Sequence, residues 1–290
     1  MSGYAHPEVL VEAAWLEEHS GDPRVRVVEV SEDETLYARG HLPGALALSW
    51  TRDLRDPVRR DFVSREDFSA LLSRVGIAND SIVVLYGDNN NWFATYAFWL
   101  FKYYGHDDVR LLNGGRQKWE ADGRPLVTDV PVYPPTDYRA AEPQASIRAL
   151  RDEILNRLGD LALVDVRSYE EFIGERVAMP HLPNEGAQVG GRIPGAAHVP
   201  WGLNVREDGT FKSRAELEEL YRARGITPEQ EVVTYCRIGE RASIAWFALR
   251  YLLGYEQVRN YDGSWTEWGN AVGVPVEKGE PAPAAAAAQR

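Results

Sequence analysis

Residues 231–254 read Glu231-Val-Val-Thr-Tyr-Cys-Arg-Ile-Gly-Glu-Arg-Ala-Ser-Ile-Ala-Trp-Phe-Ala-Leu-Arg-Tyr-Leu-Leu-Gly254. The first five form a short apolar run rich in β-branched residues, the pattern of a strand covered on both faces. A polar turn, Cys236-Arg-Ile-Gly-Glu-Arg241, follows it, and an apolar helix is expected from about Gly239 to Leu253. Strand, tight turn and helix in that order are half of an α/β unit with a parallel sheet.

The same order occurs 149 residues earlier. Ile82 to Tyr86 is a strand pattern, Gly87-Asp-Asn-Asn-Asn-Trp92 a turn, and Trp92 to Tyr104 a helix pattern closed by Gly105. At that offset Ser64, Arg65, Gly76 and Ile77 meet Ser213, Arg214, Gly225 and Ile226. Val83, Val84 and Tyr86 meet Val232, Val233 and Tyr235, and Gly114 and Trp119 meet Gly263 and Trp268. Gly40-His-Leu-Pro-Gly-Ala45 meets Gly191-Arg-Ile-Pro-Gly-Ala196 at an offset of 151. Ser64 and Ser213 are helix N-caps, the second with the S-x-x-E capping box. Val25 to Val30 and Leu161 to Val166 are the remaining clear strands. The chain is a duplication of one unit of about 130 residues, hence an α/β protein of two tandem domains, each a parallel sheet flanked by helices.

The expected divisions are residues 1–124, a proline-rich extended linker at 125–143, a second domain at 144–279 and a low-complexity, disordered tail at 280–290. The second copy carries about fifteen extra residues, Arg176 to Gly190. The net charge of −12 without a cluster of Lys or Arg argues against a nucleic-acid partner. No run of eighteen apolar residues exists, so no membrane partner is expected, and an N-terminus without a signal-peptide pattern reads as cytoplasmic. A single cysteine forms no internal disulfide and no cysteine-based metal site, and the six scattered histidines have no ligand spacing. No cofactor or metal is called for. His41 and His198 read as structural, and Trp92, Trp99 and Trp119 as filling for cores and the domain interface.

The copies part at one place: where the first has Gly87, the second has Cys236 followed by Arg237 and Arg241. A strand-to-helix turn at the carboxyl end of a parallel sheet is where α/β proteins bind ligands. The glycine-containing loop can turn backbone N–H groups inward as an anion nest, and the helix start and the arginines add to its field. That environment favours a thiolate nucleophile without an adjacent histidine base. A cysteine-dependent phosphatase would place its arginine six residues after the cysteine, but that position is Ala242. Arg241 comes one residue early and Tyr235 precedes the cysteine. The smaller loop suits sulfur rather than phosphate.

With these features the chain resembles the tandem rhodanese family over nearly its whole length. The resemblance rests on the duplication, the two Pro-Gly-Ala turns, Asp165-Val-Arg167, Cys236-Arg-Ile-Gly-Glu-Arg241, and the Asn-Gly-Gly115 and Asp-Gly-Ser264 turns. It implies an inactive first domain and a catalytic second one. The Cys-Arg-x-Gly loop is similar to that of thiosulfate rather than 3-mercaptopyruvate sulfurtransferases, and its Glu240-Arg241 ending departs from the Val-Thr of the animal enzymes. The implied reaction takes sulfur from a small anionic donor, thiosulfate, onto Cys236 and passes it to cyanide or another thiophilic acceptor. A 3-mercaptopyruvate sulfurtransferase and a persulfide carrier are the alternatives. Ile238, Gly239 and Glu240 would cradle the persulfide; Arg237, Arg241 and Arg167 would bind the donor, and Asp165 would support Arg167. Arg237 has the alternative of pointing into solvent, Arg241 that of pairing with Glu240 or another surface acid, and Arg167 that of an interdomain or structural salt bridge. Glu171 stands where animal enzymes place an arginine, and Arg192 is a further candidate beside the extra segment.

Overall fold

The computed structural model describes residues 3–179 and 186–281. The first domain contributes the strands Leu10–Val11 (β1), Val25–Glu29 (β2), Ala45–Ala47 (β3), Ile82–Tyr86 (β4) and Val109–Leu112 (β5). The second contributes Ala162–Asp165 (β6), Ala197–His198 (β7), Val232–Tyr235 (β8) and Val258–Tyr261 (β9). Two parallel sheets result, with the orders β1-β5-β4-β2-β3 and β7-β6-β8-β9. Their central strands β2, β4, β6 and β8 are almost wholly buried, as their mainly apolar, β-branched character leads one to expect. A single parallel bridge, Arg148 to Asn260, takes the place of β1 at the edge of the second sheet.

The helices lie where the repeat places them. The helices Arg65–Arg74 and Arg214–Arg222 start at Ser64 and Ser213, whose side chains accept from Asp67 N–H and Glu216 N–H. The helices Trp92–Tyr103 and Glu240–Phe247 leave the ends of β4 and β8 and pack against each other across the domain boundary. Phe98 of the first meets Phe247 of the second edge-on at 5.0 Å. The second continues as a π-helical turn, Ala248–Leu253, before Gly254. Because both central helices are almost wholly buried, one apolar cluster runs from Val28 and Phe93 through to Val232 and Trp246. Trp92 meets Trp201 of the second domain and Trp99 donates to Ile147 O, whereas Trp119 packs in the first domain and donates to Pro125 O.

Residues 124–144 run extended along the first domain and are tied to it at several points. Val127 bridges His41, Thr136 N–H donates to Ser73 O, and Tyr133 stacks beneath the Arg26 guanidinium at 4.1 Å. Part of the extra segment of the second copy, 180–185, and nearly all of the expected tail, 282–290, lie outside the described residues.

Candidate active site

Cys236 follows β8 directly and is fully buried. Its Sγ accepts from Gly239 N–H at 3.1 Å, so the loop bends back on its own sulfur. That bend needs φ 95° at residue 239, and a β-carbon there would come within 2.6 Å of Asp262 Cα, so only glycine fits. Asn260 Nδ2 donates to Gly239 O at 3.1 Å.

The other wall is the short helix Ser264–Trp268. Trp265 N–H and Thr266 N–H donate to Cys236 O and Arg237 O, at 3.0 and 2.9 Å. Cys236 N–H donates to Ser264 Oγ at 3.0 Å, and Ser264 holds an unusual positive φ of 51°. Its repeat partner Gly115 has φ 53°, a conformation that glycine adopts without strain. A serine stands there although its β-carbon disfavours the conformation, and its hydroxyl fixes the Cys236 backbone. The repeat offered this signal in the change from Asn-Gly-Gly115 to Asp-Gly-Ser264, whose weight sequence reasoning missed.

Each sequence-derived arginine has a distinct place. Arg241 at the start of the Glu240–Phe247 helix is buried and gripped at both terminal guanidinium nitrogens by Glu171, at 2.9 and 3.0 Å. Glu171 belongs to the short helix Tyr169–Ile173, with Ser168 as its capping-box partner. Burial pushes the Glu171 carboxyl up, but the Arg241 hydrogen bonds and charge prevail and hold it at about 2. Burial likewise opposes the Arg241 charge, and Glu171, with smaller help from Cys236 and Asp165, keeps it cationic. The partner is thus a buried acid from another helix rather than Glu240. Arg237 is buried in the loop instead of pointing into solvent, and Glu240, also buried, opens the following helix.

Arg167 is engaged elsewhere. Its guanidinium is held by both oxygens of Asp165, donates to Gly191 O at 2.6 Å and lies 4.5 Å over the Trp265 ring. Burial works against that charge and Asp165 restores it, raising its pKa. In this geometry the Arg167 guanidinium is engaged in a buried salt bridge with Asp165. The first domain makes a similar arrangement with the residues exchanged: Arg116, the repeat partner of Trp265, donates to Gly40 O and lies 3.7 Å from Glu29. Arg192 pairs with Glu277 and Gly279 O and lies over Phe172, apart from the sulfur. The His41 ring lies within hydrogen-bond distance of Tyr37 O and Asp129 O, and that of His198 within reach of Arg167 O.

The corresponding loop of the first domain is filled by its own side chain. Asn91 Oδ1 accepts from Gly87 N–H at 2.9 Å and its Nδ2 donates to Leu112 O at 2.7 Å. Asn89, Asn90 and Asn91 all take positive φ, which asparagine tolerates better than most residues. A β-carbon on Gly87 would lie 2.2 Å from Val30 O. No thiol can stand there without displacing the neighbouring strand end.

The rhodanese-like domain matches residues 12–122 and 150–271. The "Sulfur carrier protein TtuD" of Thermus thermophilus is 59% identical over 283 residues, covering 96% of this chain and 99% of that protein. A "Putative thiosulfate sulfurtransferase" of Saccharopolyspora erythraea is 55% identical, covering 93% of this chain and 96% of that one. Among solved structures, the anaerobic ergothioneine biosynthesis enzyme of Chlorobium limicola, bound to trimethyl histidine, superposes with a TM-score of 0.85. It is 30% identical, and the match covers 97% of this chain and 72% of that one. With both halves matched and relatives of this identity along its length, the chain belongs to the tandem rhodanese family of sulfurtransferases.

Proposed function

We propose that the protein is a thiosulfate sulfurtransferase working through a Cys236 persulfide. The observation that carries the reading is the loop itself: a sulfur at the carboxyl end of β8, contacted by Gly239 N–H and flanked by Arg237 and Arg241, in one copy only. The Cys236 thiolate attacks the outer sulfur of thiosulfate. A Cys–S–S bond forms, the donor's S–S bond breaks, and sulfite leaves with the electron pair. Cyanide then attacks the terminal sulfur and departs as thiocyanate, returning the thiolate. Backbone N–H groups and the helix start stabilise sulfur anions at each stage. Arg237 and Arg241 attract the dianion, with Ile238, Gly239 and Glu240 completing the cradle. Asp165 and Arg167 support the strand ends beneath it. We place this chemistry in the cytoplasm, where thiols are kept reduced.

The test is thiocyanate formation from thiosulfate and cyanide. Turnover is expected in wild type and should fall by at least a thousandfold in Cys236→Ser. An inactive wild type, or an equally active variant, overturns the reading. Comparing kcat/KM for thiosulfate with that for 3-mercaptopyruvate decides the donor. A second reading, sulfur carriage to a protein acceptor, is favoured by the name of the Thermus relative. It predicts a single added sulfur by intact mass, passed to an acceptor protein with little small-molecule turnover.

A further inference from the structure

The sequence leaves the inactive domain without a task at the sulfur site, but the structure brings part of it there. Between β3 and the Arg65–Arg74 helix the chain forms a small hairpin in which Arg55 bridges Phe62 and Asp56 N–H donates to Asp61 O. This hairpin lies against the catalytic loop and the turn that walls it. Arg55 Nη2 is 3.1 Å from Glu240 Oε1, Arg60 donates to Asp262 O at 3.3 Å, and Asp61 pairs with Arg148 at 2.8 Å. Arg148 in turn is held by both oxygens of Asp262, whose backbone closes over Gly239. The Arg55 guanidinium also lies 4.4 Å over Trp50, so its position is fixed from two sides.

We propose that Arg55 of the inactive domain is a positioning residue that sets the charge of the catalytic loop and so its selectivity for anionic sulfur donors. The inference rests on the reading of Cys236 as the sulfur nucleophile. The loop and the acid paired to it carry Arg237 and Arg241 against Glu171 and Glu240, a balance of zero. Glu240 directly follows Gly239, which puts a buried carboxylate inside the segment that must receive a dianion, in a protein of net charge −12. Arg55 offsets the Glu240 charge and so balances the negative charge that the Cys236 thiolate adds to this set. Removing it would leave one more negative charge facing the incoming donor.

The local field at Cys236 can be read without any sulfur donor, from the ratio of its alkylation rates with iodoacetate (an anion) and iodoacetamide (neutral). In Arg55→Gln that ratio should fall about fivefold, the scale of one partly screened charge at several ångströms. It should recover in the Arg55→Gln, Glu240→Gln double variant, and Arg55→Lys should stay near wild type. In turnover, Arg55→Gln should raise the KM for thiosulfate about tenfold and change kcat less than about twofold. A monoanionic thiosulfonate donor should be affected less. An unchanged ratio, equal slowing with both reagents, or no recovery in the double variant overturns the proposal. A wild type inert toward thiosulfate overturns the donor reading instead, and the alkylation ratio still judges Arg55.

Discussion

Gly239 and Glu171 are two single residues on which the sulfur loop depends for different reasons. At Gly239 both the positive φ and the approach of Asp262 exclude a side chain. Gly239→Ala should therefore cost about 2–4 kcal/mol in urea unfolding, and thiocyanate formation should be lost with the bend that aims Gly239 N–H at the sulfur. Glu171 acts through charge. Its carboxyl, held at about 2 against an ordinary 4.5, contributes stability that is fully present above pH 4.5 and lost as pH falls toward 2. The difference corresponds to about 3 kcal/mol. Glu171→Gln should be less stable than wild type at about pH 6, with Arg241 left buried beside a neutral amide. The gap should narrow between pH 4.5 and 2 in denaturant titrations. If it stays constant across that window, the ion pair does not govern acid stability.

At the scale of elements, the strands and helices that are long and strongly patterned were legible. Val232–Tyr235, Ile82–Tyr86 and the capped helices after Ser64 and Ser213 fall where composition and capping place them. Ala45–Ala47 and Ala197–His198 were not, because two or three residues carry no period and owe their form to hydrogen bonds from a neighbouring strand. The site divided along the same line. Cys236, Gly239 and the loop could be read because they are contiguous and differ between the copies. The Glu171–Arg241 pair joins residues 70 positions apart, and Arg55 comes from the other domain, so no local pattern reports either. The packing of the two central helices invites its own test. Phe98 is fully buried against Phe247 and Tyr251, and Phe98→Ala should destabilise by about 3–5 kcal/mol in denaturant unfolding.

The whole molecule is organised by an exchange between its halves. The hairpin at 55–62 reaches the Cys236 loop, and the segment around 201–211 reaches the filled loop of the first domain, where Phe211 N–H donates to Asn113 Oδ1 and Trp201 meets Trp92. With a shared apolar cluster between them, the domains should unfold together. Calorimetry is expected to give one transition whose van't Hoff and calorimetric enthalpies agree; two resolved transitions would contradict it.

The carbonyl of Val30 pressed against Gly87 limits what a single substitution there could achieve. A thiol introduced at position 87 by a point mutation would meet the strand end at Val30, and Asn91 already occupies the hydrogen bonds of that loop. Several concerted changes would be needed before such a thiol could react. The duplicated fold thus offers one loop that holds a buried sulfur, at Cys236, and one without room for it, at Gly87.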